Sequence, residues 1–132
     1  MKKLIGFTAL TTISVISLMS FIEPTTSTYT NDSNGFTFPK EIKEILDQSC
    51  MGCHTKESSN MKGKMKLKLD QFATLKKSKL VSKLNKIAKE VEKGDMPTKK
   101  FIAKYPNKVP TADQKKVLID WARATAAKLV GE

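Results

Sequence analysis

Cys50 and Cys53 are the only cysteines of this 132-residue chain, and its single histidine, His54, follows them directly. The segment reads Cys50-Met51-Gly52-Cys53-His54, so every thiol and imidazole group falls within five positions. Four chemistries compete for that arrangement. A Cys50–Cys53 disulfide would close a very small loop, stabilise little and leave His54 without a task. A thioredoxin-like redox pair needs a βαβ setting, and the sequence pattern offers none. A structural zinc site needs four ligands, and no further Cys or His exists. Covalent haem attachment requires the order C-x-x-C-H. Two thiols that bond the two vinyl groups of one porphyrin must lie about one helical turn apart, and the next residue can then reach the iron through an imidazole nitrogen. The spacing therefore predicts one haem c, covalent through Cys50 and Cys53, with His54 on the iron.

A sixth ligand must come from elsewhere. Of the six methionines, Met1 and Met19 lie in the N-terminal apolar run and Met51 is inside the attachment loop. Met65 opens a short alternating stretch and reads as packing, whereas Met61 sits in a polar, lysine-rich loop and reads as surface. Met96 stands in "EKGDMPTKK", after a strong helical pattern. Gly94 lets the chain turn there, and Pro97 restricts the residue before it to extended backbone. Met96 is the expected iron ligand, against the alternative that its thioether fills a gap in the core.

The elements that must position these groups read as helices. "FPKEIKEILDQS" places Ile42, Ile45 and Leu46 on one face, with Pro39 in the first turn. "MKLKLD" alternates apolar and basic residues and suggests a brief extended segment. Asp70 suits an N-cap for the turn carrying Phe72 and Leu75. Leu80, Leu84, Ile87 and Val91 recur at helical spacing and stop before Gly94, which suits a left-handed C-terminal stop. Thr111-Ala112-Asp113-Gln114 is a capping-box pattern, followed by a stripe of Val117, Leu118, Trp121, Ala122, Thr125 and Leu129. Trp121, on that stripe, reads as core. The class is all-α, with about four short helices. A core this small buries little on its own, which suits a bound group at its centre.

Residues 1–22 begin with two lysines and continue as an uncharged apolar run from Leu4 to Ile22. This is the layout of an export signal, and a run of that length also permits a single membrane anchor. Residues 23–37, rich in Thr, Ser, Asn, Pro and Gly, read as a flexible polar linker, leaving 38–132 as the folded domain. The expected location is outside the cytoplasm, periplasmic, soluble or tethered through residues 4–22. Net charge is +11, from 24 Lys and Arg against 13 Asp and Glu, and Arg123 is the sole arginine. Nucleic-acid readers rely on arginine and aromatics, so no nucleic acid is expected. The lysines either form a solvated face or steer the domain towards an acidic partner or an anionic membrane surface.

Together, Cys50-Met51-Gly52-Cys53-His54, Gly94-Asp95-Met96-Pro97 and the final helix "TADQKKVLIDWARA" resemble a small monohaem c-type cytochrome. More narrowly, "KLNKIAKEVEKGDMP" and "YPNKVPTADQKKVLIDWA" resemble the exported bacterial cytochrome c-like haem-binding domains. The resemblance covers about residues 40 to 130. It implies a cytochrome c-like fold, with N- and C-terminal helices crossing near Trp121. The chain departs from the family at "TKESSNMKGKMK", where members often carry an aromatic, proline-containing stretch. With His54 and Met96 both on the iron, the expectation is an electron-transfer protein, not an enzyme, that docks on an acidic reductase, oxidase or larger cytochrome. The alternative is a gas sensor or ligand-binding module with a labile Met96. A peroxidase ranks third, because no distal His or Arg arrangement is visible and Arg123 lies on the outer side of the last helix. Phe101 and Tyr105, close to Met96 in the chain, are candidates for flanking the haem edge.

Overall fold

The computed structural model describes residues 35–131. The expected signal or anchor (1–22) and residues 23–34 of the expected linker lie outside them. Among the described residues there are five α-helices and no strands: α1 (Lys40–Ser49), α2 (Met61–Lys66), α3 (Lys77–Glu92), α4 (Lys99–Lys104) and α5 (Ala112–Gly131). Two 3-10 turns, Leu69–Thr74 and Pro106–Lys108, complete the order. No helix among the described residues is long and apolar enough to cross a membrane.

The long helices form where the apolar spacing places them. Ile42, Ile45 and Leu46 of α1 are buried, and the Pro39 carbonyl accepts from Lys43 N–H at 2.8 Å to start that helix. On α3, Leu80, Leu84, Ile87 and Ala88 are buried, and the half-buried Val91 packs against the same core. On α5, Leu118, Ala122, Thr125 and Ala126 are buried. The capping box forms as read: Gln114 N–H donates to Thr111 Oγ1 at 3.2 Å and Thr111 N–H donates to Gln114 Oε1 at 2.9 Å. The dominant helix pair is α3 with α5, and α1 also meets α5. Arg123 joins the two long helices from outside through an ion pair with Glu92, 2.6 Å apart.

Three local expectations are corrected. "MKLKLD" is not an extended stretch throughout. Met65 and Lys66 end α2, only Leu67 and Lys68 are extended, and Leu69 enters a 3-10 turn. Met65 does not pack, since it is 76 % exposed. Asp70 does not cap a helix from outside; it lies within the 3-10 turn, and its carboxylate oxygens accept Lys56 N–H at 3.0 and 3.1 Å.

Packing begins at Phe36, which is buried although composition puts it in the linker. Phe36 and Phe38 meet edge-to-face with centroids 5.2 Å apart. Both rings also lie near Phe72 and Trp121. Trp121 is half-buried and belongs to this aromatic cluster, away from the residues that line the main cavity.

Candidate functional site

The last turn of α1 delivers the motif. Cys50 and Met51 N–H groups both donate to the Leu46 carbonyl at 2.8 Å, and the Cys53 and His54 N–H groups both donate to the Cys50 carbonyl at 3.0 Å. The chain thus continues in one further turn, which keeps the two thiols about a helical turn apart. Cys50 and Cys53 stand as free thiols. Burial, with the neighbouring Cys53 as a lesser cause, pushes the Cys50 thiol up to about 11, so it stays protonated at neutral pH.

His54 is held at both ends. Its carbonyl accepts Leu69 N–H at 2.8 Å, and its Nδ1 lies 3.0 Å from the Gly63 carbonyl. A carbonyl can only accept, so Nδ1 carries the proton and Nε2 keeps a free lone pair for a metal. Burial holds the imidazole below its ordinary pKa, although its hydrogen bonds to backbone pull the other way. The neutral, ligating form is therefore favoured.

α2 lies against the motif, and it is pinned by short polar links. Ser58 Oγ donates to the Gly52 carbonyl at 2.9 Å and accepts Asn60 N–H at 3.1 Å. Asn60 Oδ1 in turn accepts Gly63 N–H at 3.0 Å as the N-cap of α2. At the other end Lys83 Nζ donates to the Lys66 carbonyl at 2.6 Å. Gly63 is buried against the motif: a Cβ there would overlap the Cys53 carbonyl oxygen and stand 3.2 Å from its carbon.

Met96 hangs from the end of α3. Gly94 has φ +75°, its N–H donates to the Val91 carbonyl at 3.1 Å, and Asp95 N–H donates to the Glu90 carbonyl at 3.0 Å. These two bonds are a Schellman stop. Met96 N–H adds a third, also to the Glu90 carbonyl, at 3.1 Å. The Met96–Pro97 peptide bond is cis.

These pieces meet around one space. A cavity of about 390 Å³ is lined by Cys50, Cys53, His54, Gly63, Met96 and Phe101, among others. A smaller adjoining one, about 110 Å³, shares Cys50, His54 and Met96 and is walled by Leu46, Leu69, Ile87 and Leu118. The larger volume lies within the range of small-molecule and cofactor sites, roughly 300–1,000 Å³. Apolar walls, two thiols, an imidazole whose Nε2 carries no proton and a thioether are the donor set and surroundings that a haem requires, so the residues fit that group. The structure brings together all four site residues named from sequence. Phe101 also lines the cavity. Tyr105 packs against Phe101 with ring centroids 5.3 Å apart and planes tilted by 53°, and is itself exposed. Sequence reasoning missed Gly63 and Asn60; the Asn-x-x-Gly spacing before a basic run was the available signal.

A helical domain built around such a cavity defines a cytochrome-like, haem-binding protein. Residues 60–124 match the model of the Haem-binding domain family. The matched stretch begins after His54, so it points to haem independently of the cysteine motif, and it includes Gly63 and Met96. Comparisons with curated proteins and with solved structures gave no match.

Proposed function

We propose that this domain is an electron-transfer protein that holds one haem covalently through Cys50 and Cys53, with His54 and Met96 as its axial ligands. The observation that carries the reading is the single cavity onto which both thiols, the imidazole and the thioether open. When bound, the haem iron supplies a reversible one-electron couple. His54 and Met96 would both hold the iron, so that little rearrangement would accompany a change of charge. His54 is oriented by Gly63, and Met96 is anchored to the end of α3 by its own N–H. A His/Met ligand pair raises the reduction potential. Leu46, Ile87 and Leu118 keep water from one wall, which acts in the same direction. With His54 and Met96 both on the iron, no site would remain for a substrate, which favours a carrier over an enzyme.

The test is an absorption spectrum of protein produced with haem-attachment machinery, oxidised and then reduced under carbon monoxide. Expected are a far-red methionine–iron band and a reduced spectrum that carbon monoxide leaves unchanged. Immediate carbon monoxide binding by the wild type would give the function to a gas sensor with a labile Met96 instead. Attachment is read separately: acid–acetone should leave the haem on the protein, and should extract it from the Cys50→Ala/Cys53→Ala variant. Extraction from the wild type would sink the covalent reading while leaving haem binding intact.

A further inference from the structure

Positive charge is unevenly distributed along the fold. Residues 58–89 contain ten lysines and a single acid, Asp70, whose carboxylate is engaged by Lys56 N–H. The ion pairs of the described residues, Lys40–Glu44, Lys43–Asp47, Lys116–Asp120 and Arg123–Glu92, all lie outside this stretch. Geometry brings several of the ten together. Lys64, Lys66, Lys68 and Lys83 rim a surface hollow of about 190 Å³ whose lining includes Leu67 and Leu75. Lys66 and Lys83, with Lys86, also border the smaller of the two adjoining cavities. Out of this lysine field stand Met61 and Met65, 59 % and 76 % exposed, four residues apart and so on one face of α2.

We propose that the face formed by α2, the Leu67–Lys68 segment and Lys83 docks the domain onto an anionic bilayer surface. Net charge alone admits either an acidic protein or a membrane; the residue types on this face separate them. Protein interfaces enrich arginine and aromatics and deplete lysine. Residues 58–89 have no arginine, and their one aromatic, Phe72, is buried. Clustered lysines attract anionic headgroups, each adding affinity near the surface. Lysine stems pack along apolar surface while their ammonium groups stay in water; Lys83 also donates to the Lys66 carbonyl and so holds the face together. Met61 and Met65 are the flexible apolar groups that can enter the headgroup boundary between them. Because Lys62 and Lys66 also line the larger cavity, docking sets its mouth beside the membrane. The docking itself requires neither axial ligand, so it stands or falls apart from the electron-transfer reading.

Co-sedimentation of the haem-loaded, exported protein with vesicles tests this. Phosphatidylcholine vesicles report any contribution of residues 4–22. Vesicles of phosphatidylcholine mixed with phosphatidylglycerol add that of the lysine face. Binding should be stronger on the mixed vesicles and should fall with added salt. Lys64→Gln/Lys68→Gln should weaken it by roughly tenfold or more, at about fivefold per lysine. Met65→Ser should weaken it further. Lys99→Gln/Lys104→Gln on α4 removes the same charge from outside the proposed face and should weaken binding clearly less. Circular dichroism confirms that each variant is folded. Equal losses in the two double variants would overturn the proposal in favour of net charge alone, and equal binding to both vesicle types would overturn it outright. If Lys64→Gln/Lys68→Gln keeps its vesicle affinity but loses salt-sensitive electron exchange with an acidic redox protein, the face belongs to that partner.

Discussion

At Gly63 the missing Cβ and the carbonyl oxygen both serve the neighbouring motif. The carbonyl receives the His54 Nδ1 proton, and the bare Cα lets the Cys53 backbone approach. Gly63→Ala sets two effects against each other. Alanine gains about 1 kcal/mol of helix propensity, whereas overpacking costs about 1–3 kcal/mol. The obstructing atoms are backbone, which cannot swing aside, so the clash wins. The variant should lose up to about 2 kcal/mol in urea unfolding, and the displaced His54 should alter the haem spectrum. Unchanged stability together with an unchanged spectrum would show that α2 does not orient the imidazole. Cys50, Cys53 and His54 were legible because their relation is contiguous in sequence. Gly63 was less so: the Asn60-x-x-Gly63 spacing marks the cap of α2, but the need for a bare Cα comes from a segment folded back across a loop, which no local periodicity records.

The end of α3 decides where Met96 stands. A left-handed residue at Gly94 allows three consecutive N–H groups to return to the carbonyls of Glu90 and Val91. Gly94→Ala meets no neighbour, so its cost is purely conformational, about 1–2 kcal/mol for a side chain at positive φ. Thermal unfolding should shift down by roughly 5–10 °C for a domain of this size, and carbon monoxide should bind the reduced protein faster as the Met96 anchor loosens. A shift without any gain in carbon monoxide binding would separate the helix stop from ligand placement. This stop and the Thr111 capping box were both readable, since each is a local pattern with its own residue types. α2 and α4 were not. Each is a single short stretch of six residues, below the length at which periodicity speaks. α2 owes its form to Asn60 at one end and the distant Lys83 at the other.

Across the whole molecule, stability is divided between two regions that depend differently on the bound group. The α3–α5 pair is the dominant helix contact, and Leu80, Leu84, Leu118, Ala122 and Ala126 of these helices belong to the buried core. The segment from α1 through the Leu69 turn has a thinner hold. α1 meets α5 at its core face and is tied to the second 3-10 turn by Ser49 Oγ donating to the Lys108 carbonyl at 2.6 Å, while Cys50–Gly63 form one side of the cavity. A group that bonds Cys50, Cys53 and His54 on one side and Met96 on the other would bridge these regions. Binding to the native state alone stabilises it, and in this fold the gain should be local. Hydrogen exchange on the Cys50→Ala/Cys53→Ala protein freed of haem, against the loaded wild type, reads this directly. Amides of α3 and α5 should retain most of their protection, whereas those of residues 46–69 should exchange faster by roughly tenfold or more, as local opening replaces global unfolding. A uniform loss over all five helices would mean that the α3–α5 pair cannot stand without the haem. Equal protection in the two proteins would mean that the bound group does not bridge them.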